Sequence, residues 1–247
     1  MKNLFSINNK KVLITGGSGG IGKELVNSFL DNGAFVYSLD KNISKSKFKK
    51  FNFIKFDLQN LNESTAPNLK KIIDDLNIEI LINNAAVTYS NHLTEYKLTD
   101  WDKTIQINLN SIFYLSQIVS KNMVKKKIKG SIINVTSIGA KIGFPNNPAY
   151  TASKGAVSNM TKSMAVDLGT FGIRVNNLVP GYTKTKMNQK SWSNKKQNKL
   201  RANRTMLLRW ALPREYVGPA IFLASQASSY VTGSDLVVDG GWINKGL

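Results

Sequence analysis

Residues 11–22, KVLITGGSGGIG, constrain the fold more than any other stretch of this chain. A β-branched run feeds a turn carrying Gly16, Gly19, Gly20 and Gly22. The next segment, IGKELVNSFLDNG, is apolar at Ile21, Leu25, Val26, Phe29 and Leu30 and closes on Gly33. A strand that enters a helix through a glycine-rich turn is the arrangement that binds dinucleotides. The first glycine permits the tight turn, and the later ones let the backbone approach a pyrophosphate. The helix N-terminus supplies free N–H groups and the positive end of its dipole. A second strand, AFVYSLD, ends in Asp40, eighteen residues beyond Gly22, where a carboxylate can accept hydrogen bonds from ribose hydroxyls.

The same alternation continues along the chain. Strands are expected near 11–15, 34–39, 52–56, 79–83, 131–136, 173–178 and 235–238, and helices near 20–31, 64–76, 100–124, 150–168 and 214–225. An irregular, partly helical insertion is expected at about 183–210. This order predicts an α/β fold: a single-domain, doubly wound parallel sheet of seven strands over residues 1–247, with helices on both faces. Ligands of such sheets bind at the carboxyl ends of the strands. There is no cysteine, and His92 is the only histidine, so neither a disulfide framework nor a metal site is expected. The N-terminal MKNLFSINNKKVLIT lacks the apolar core of a signal peptide, and no apolar run approaches the ~20 residues of a membrane span. These features predict a cytoplasmic protein.

Reactive side chains gather in NVTSIGAKIGFPNNPAYTASKGA. Tyr150 and Lys154 stand at i and i+4, so on a helix they share one face, a turn apart. A free phenol has a pKa of about 10 and is a poor proton shuttle at neutral pH. A nearby ammonium favours the phenolate and is expected to pull Tyr150 toward the working range. Ser137, at the end of the apolar run SIINVTS, is positioned to hydrogen-bond a substrate oxygen.

With these motifs in order, the chain resembles the short-chain dehydrogenase/reductase family over essentially its whole length. TGGSGGIG matches the family's TGxxxGxG turn, Asp57–Leu58 the pair flanking the adenine, and NNAA at 83–86 the NNAG segment after the fourth strand. Asn108, in WDKTIQINLNSIF, matches the asparagine that joins serine, tyrosine and lysine in a tetrad. PGYTKTKM matches the segment that folds over the nicotinamide, and VTGSDLVVDGGW the C-terminal strand. The resemblance implies catalysis by Asn108, Ser137, Tyr150 and Lys154, with Asn108 holding a water that relays the proton outward. It further implies cofactor contacts from Gly16, Ser18, Gly19, Gly20, Ile21, Asp40, Asp57, Leu58, Asn84, Ala85, Tyr150, Lys154, Pro180, Gly181, Thr183 and Thr185. Two departures stand out. Ala86 replaces the usual glycine, tolerable where φ is negative. The crossover KNISKSKFKKFNFIKF is short, so its helix is expected to shrink to a turn or two.

Asp40 would repel the 2′-phosphate of NADP and bind the free diol of NAD, so NAD is the expected cofactor and NADP the lesser one, Lys41 being the counter-argument. The net charge of +19 is mostly lysine spread over loops, and no specific nucleic-acid partner is expected. One basic stretch differs. From Tyr182 to Arg214 lie ten cations without an Asp or Glu, in the segment that in this family covers the substrate. Such a lid would attract a small anionic substrate, with Arg201, Arg204 and Arg209 as candidate clamps that sequence does not rank. The opening and the tail resemble the branch acting on sugar acids and polyols. The rivals are a 3-oxoacyl carrier-protein reductase using NADPH, and a silent Rossmann-fold binding protein, against which the complete set of four reactive residues argues. Apolar residues on more than one face of helices 100–124 and 150–168, together with the family's pairing of these helices, imply self-association as a homotetramer.

Overall fold

The structure, a computed structural model, describes residues 3–245; residues 1–2 and 246–247 of the expected domain lie outside the described residues. Seven strands form one parallel sheet in the order β3-β2-β1-β4-β5-β6-β7. They are β1 (Lys11–Thr15), β2 (Phe35–Asp40), β3 (Phe51–Lys55), β4 (Ile80–Asn83), β5 (Ser131–Val135), β6 (Arg174–Pro180) and β7 (Asp235–Val238). The helices are α1 (Gly20–Asp31), α2 (Ala66–Asp74), α3 (Leu98–Ile105), α4 (Ser111–Lys125), α5 (Pro148–Gly169), α6 (Gln189–Trp192), α7 (Lys195–Asn203) and α8 (Val217–Ala224). Among the described residues no helix is long and apolar enough to cross a membrane.

Strand side chains alternate between the faces of a sheet, and here both faces are buried. Val12, Ile14, Val36, Ile82 and Val135 pack with Leu25, Phe29, Tyr216 and Leu223 of the α1/α8 layer. Leu13, Leu81, Ile132 and Val175 pack with Leu69, Ile73, Leu115, Val119 and Ala165 of the α2/α4/α5 layer. Near-continuous apolar strands are what a two-sided parallel sheet requires.

The second core is interrupted by a row of polar side chains. Asn83 pairs in register with Asn134, Asn134 with Asn177, and Asn177 with Asp235, so four adjacent strands each contribute one rung. Asn83 Nδ2 donates to Asn134 Oδ1 (2.8 Å), and Asn134 Nδ2 to Thr161 Oγ1 (2.8 Å). Thr161 donates to Asn177 Oδ1 (2.7 Å), and Asn177 Nδ2 to Asp235 Oδ1 (2.6 Å). The three asparagines and Thr161 are buried. Asp235 ends the row by pairing with Lys141.

Two elements differ from the sequence expectation. The crossover between β2 and β3 contains no helix at all. It holds no apolar pair a helical turn apart that faces the core: Phe48 packs on the α1-side core while Ile43 stays exposed. Lys50 fastens the crossover by donating to Asn9 Oδ1 and the Gly33 carbonyl, each at 2.8 Å. The helix expected over 100–124 is split by a π-helical turn at Gln106–Asn110, the wide turn that carries Asn108.

Candidate active site

The glycine turn joins β1 to α1 with Gly16 (φ 69°) and Gly20 (φ 53°) in the left-handed region, where a side chain is strained. A Cβ on Gly16 would lie 2.8 Å from the Ala85 Cα, so this glycine is needed for backbone contact with the segment after β4. Thr15 Oγ1 accepts the backbone N–H groups of Asn84 and Ala85, both at 3.0 Å, and Asn84 Nδ2 donates to the Thr15 carbonyl (3.0 Å). A Cβ on Gly19, by contrast, would meet nothing within 4 Å. The outer side of the turn is therefore open above the N-terminus of α1. No side chain caps that terminus and no acidic residue stands in its first turn. Open backbone, uncapped N–H groups and a first helical turn free of acidic residues fit a pyrophosphate.

Asp40 closes the next corner. Its Oδ2 accepts from Ser18 N (3.1 Å) and its Oδ1 from Asn42 N (2.9 Å), while Ser18 Oγ donates to the Asn42 carbonyl (2.6 Å). Each carboxylate oxygen keeps acceptor capacity for a ribose hydroxyl. Ile21 packs from the first turn of α1 onto the core. Asp57 caps the short turn holding the buried Leu58 by accepting from Gln59 N (3.0 Å). Ala86 avoids the left-handed region, so its methyl is accommodated.

Beyond β6, Pro180, Gly181, Thr183 and Thr185 run along the same edge. A Cβ on Gly181 would approach the Asp239 Cα to 2.7 Å. Thr183 is buried, with its hydroxyl 2.6 Å from that of Tyr216. The Thr185 carbonyl accepts from the Trp192 indole (2.9 Å).

The four reactive residues come from three elements. Asn108 is buried in the π turn; its Oδ1 accepts from Val87 N (2.8 Å), and its Nδ2 donates to the Val87 carbonyl (2.9 Å) and Ser153 Oγ (3.2 Å). Both amide hydrogens are thus committed to holding the segment after β4 against α5. Ser137 follows β5 and accepts from Gly139 N (3.0 Å). On α5, Lys154 is 1% exposed, and its Nζ donates to the Val135 carbonyl at 2.7 Å. Burial lowers the Lys154 pKa to about 8.

Tyr150 behaves otherwise than the i, i+4 spacing predicts. Burial raises its phenol above the ordinary value, hydrogen bonding with Ser137 lowers it, and the neighbouring Tyr182 phenol raises it again. Lys154 is not the group that pulls it down. The ammonium is itself desolvated and lies 5.8 Å from the Tyr150 ring centroid.

Sequence reasoning missed an aromatic wall around this phenol. Phe144 lies nearly parallel to Tyr150 (12°, centroids 6.5 Å apart), Tyr182 stands 5.8 Å from Phe144, and Trp210 and Trp242 stand 5.3 and 4.6 Å from Tyr182. Three of the chain's four tryptophans fall after residue 190, which is the only signal the sequence offers for it.

The basic stretch is also sorted. Its lysines are exposed. Arg209 forms a two-pronged pair with Glu215, at 2.7 and 2.6 Å. The Arg201 guanidinium lies 4.7 Å over the Tyr182 ring and 5.9 Å from the Trp210 centroid, and Arg204 lies 5.8 Å from that of Trp242. His92 is exposed and forms hydrogen bonds within its own turn.

Residues 16–243 match the family described as enoyl-(acyl carrier protein) reductase. The gluconate 5-dehydrogenase of Gluconobacter oxydans is 35% identical over 250 residues, 96% of each chain. The 3-oxoacyl-[acyl-carrier-protein] reductase of Chlamydia pneumoniae is 38% identical over 242 residues, 94% of this chain and 96% of that one. A crystal structure of a gluconate 5-dehydrogenase from Burkholderia cenocepacia, in complex with NADP and tartrate, superposes with a TM-score of 0.91 at 30% identity, covering 98% of both chains.

Proposed function

The chain belongs to the short-chain dehydrogenase/reductase family, enzymes that act on CH–OH groups with NAD(P), and from that premise we propose that it interconverts a small sugar acid or polyol and its ketone, using NAD. The observation that carries this reading is the Tyr150 ring, stacked on Phe144 with the Lys154 ammonium 5.8 Å from its centroid, on the fold edge where the glycine turn opens. A bound nicotinamide supplies the hydride acceptor in oxidation and the donor in reduction. In oxidation Ser137 orients the substrate oxygen and Tyr150 takes its proton. Lys154 keeps its remaining N–H groups for the nicotinamide ribose. Asn108 holds the wall behind them. The stretch 183–210 serves as the lid.

The sugar-acid assignment draws on the likeness to gluconate 5-dehydrogenases and on a lid without carboxylates. The choice of NAD rests on Asp40, whose charge opposes a 2′-phosphate, although the Burkholderia relative holds NADP. The likeness to carrier-protein reductases keeps an NADPH-dependent acyl reductase as the second reading. Steady-state assays of gluconate, its keto form, polyols and a 3-oxoacyl thioester with each cofactor decide between them. Sugar-acid turnover with NAD is expected; turnover of the thioester alone, with NADPH, overturns the assignment.

A homotetramer is part of the same reading. Leu109, Phe113 and Met160 line a groove of about 420 Å³ between the π turn, α4 and α5, and Phe113 is 46% exposed there. Light scattering at micromolar concentration tests it, and a monomer would refute it.

A further inference from the structure

We propose that Arg201 is the specificity residue of this site, a clamp for a substrate carboxylate that lies several carbons away from the reacting carbinol. The proposal rests on the sugar-acid reading and identifies which cation enforces it. Tyr182 is the link in the geometry. On one side its ring stands 5.8 Å from Phe144, which is itself stacked on Tyr150. On the other, the Arg201 guanidinium lies 4.7 Å over its ring. Arg201 is therefore linked to the group that handles the proton through two intervening rings, Tyr182 and Phe144. A two-carbon hydroxy acid, with carboxylate and carbinol adjacent, does not span that separation, whereas a longer sugar acid does.

The charge on Arg201 is also available. Among the described residues it has no carboxylate partner, and no Asp or Glu occurs between Tyr182 and Arg214. Arg209 is already spent on Glu215. Arg204 is exposed over the far ring, Trp242. Lying 4.7 Å over Tyr182 and 5.9 Å from the Trp210 centroid, the Arg201 guanidinium sheds part of its water. Its in-plane N–H fork stays free, and that fork matches both oxygens of a carboxylate. Trp210, buried beneath α7, fixes the platform by donating from its indole to the Asn198 carbonyl (3.2 Å).

The test titrates the NAD-loaded enzyme with gluconate and with the uncharged polyol sorbitol, reading tryptophan fluorescence from Trp210 and Trp242, and runs steady-state kinetics in parallel. Arg201→Gln keeps a planar, stackable side chain without charge, Arg201→Lys keeps charge without the fork, and Arg209→Ala serves as control. Gluconate affinity is expected to fall about tenfold or more in Arg201→Gln, with partial recovery in Arg201→Lys. Sorbitol binding and kcat should stay within about twofold, and the control should match wild type. Gluconate binding within twofold of wild type in Arg201→Gln overturns the proposal. Equal weakening of sorbitol overturns it too, because the residue would then be shaping the lid and not reading charge. The two readings fail separately. Arg201-dependent gluconate binding without turnover by either cofactor sinks the dehydrogenase assignment and leaves the clamp standing. Gluconate turnover with an unchanged KM in Arg201→Gln does the reverse.

Discussion

The Lys154 ammonium donates to the Val135 carbonyl across 2.7 Å, tying the middle of α5 to the end of β5. One hydrogen bond thereby sets the spacing between the helix that carries Tyr150 and the strand that delivers Ser137. It also holds an ionisable group in a site 1% exposed. Burial moves that group from 10.5 to about 8. Between those values the unfolded chain binds the proton and the folded one releases it, so folded stability should rise with pH from about 8 to about 10. Urea titrations of wild type and Lys154→Met across this range check it. The wild-type curve should climb relative to the variant, and parallel curves would mean that Lys154 is not desolvated.

Tyr150→Phe keeps the ring against Phe144 and removes the proton carrier. Turnover should fall by about 10²–10⁴ while NAD binding stays within a few-fold, measured by kinetics and by cofactor titration. Because burial holds the phenol above its ordinary value, oxidation should speed up with rising pH through the alkaline range. Reduction, which needs the protonated phenol, should stay level through neutrality. A variant within a few-fold of wild type would remove Tyr150 from the mechanism.

Asp40→Ala deletes the acceptor that faces the ribose and also frees Ser18 N and Asn42 N. The loss of charged hydrogen bonds should weaken NAD by about 1.5–3 kcal/mol, roughly tenfold to a hundredfold. NADP should bind better, with Lys41 becoming an asset. Dissociation constants for both cofactors decide it, and a wild-type preference for NADP would discredit the carboxylate argument.

Asn134→Ala opens the buried row in its middle, removing the donor to Thr161 Oγ1 and the acceptor of one Asn83 N–H. Unfolding free energy should drop by about 2–4 kcal/mol, readable in urea. The double variant with Thr161→Val should cost less than the two single changes added together, since the bond between the two side chains is then lost only once.

Much of the sheet is legible in sequence because its strands are short apolar runs bounded by turn residues. Glycines that meet backbone, such as Gly16 against Ala85, leave a pattern that local reading can recognise. The crossover after Asp40 is misjudged because the need for a connection does not specify a helix. The phenol's environment is illegible for a different reason. Phe144, Tyr182, Trp210 and Trp242 are far apart in sequence and meet only through the order of β5, β6 and β7. Spacing brings Lys154 near Tyr150, but it does not reveal that the Val135 carbonyl engages the ammonium. Nor does it reveal that Glu215 removes Arg209 from the candidate clamps.

The 183–210 excursion begins and ends at one point of the molecule. Lys184 N donates to the Ala211 carbonyl (3.0 Å) and Ala211 N to that of Tyr182 (2.9 Å), a single parallel bridge that closes its base. Inside it, Trp192 bonds back to Thr185 and Trp210 to Asn198, and Met206 N donates to the Gly240 carbonyl beyond β7 (2.8 Å). A loop with clasped roots can change length at little entropic cost, about 0.6 kcal/mol for each doubling. It is thus an exchangeable cassette: grafting a relative's excursion between residues 186 and 210, with Thr183 and Thr185 kept, is expected to transplant substrate preference.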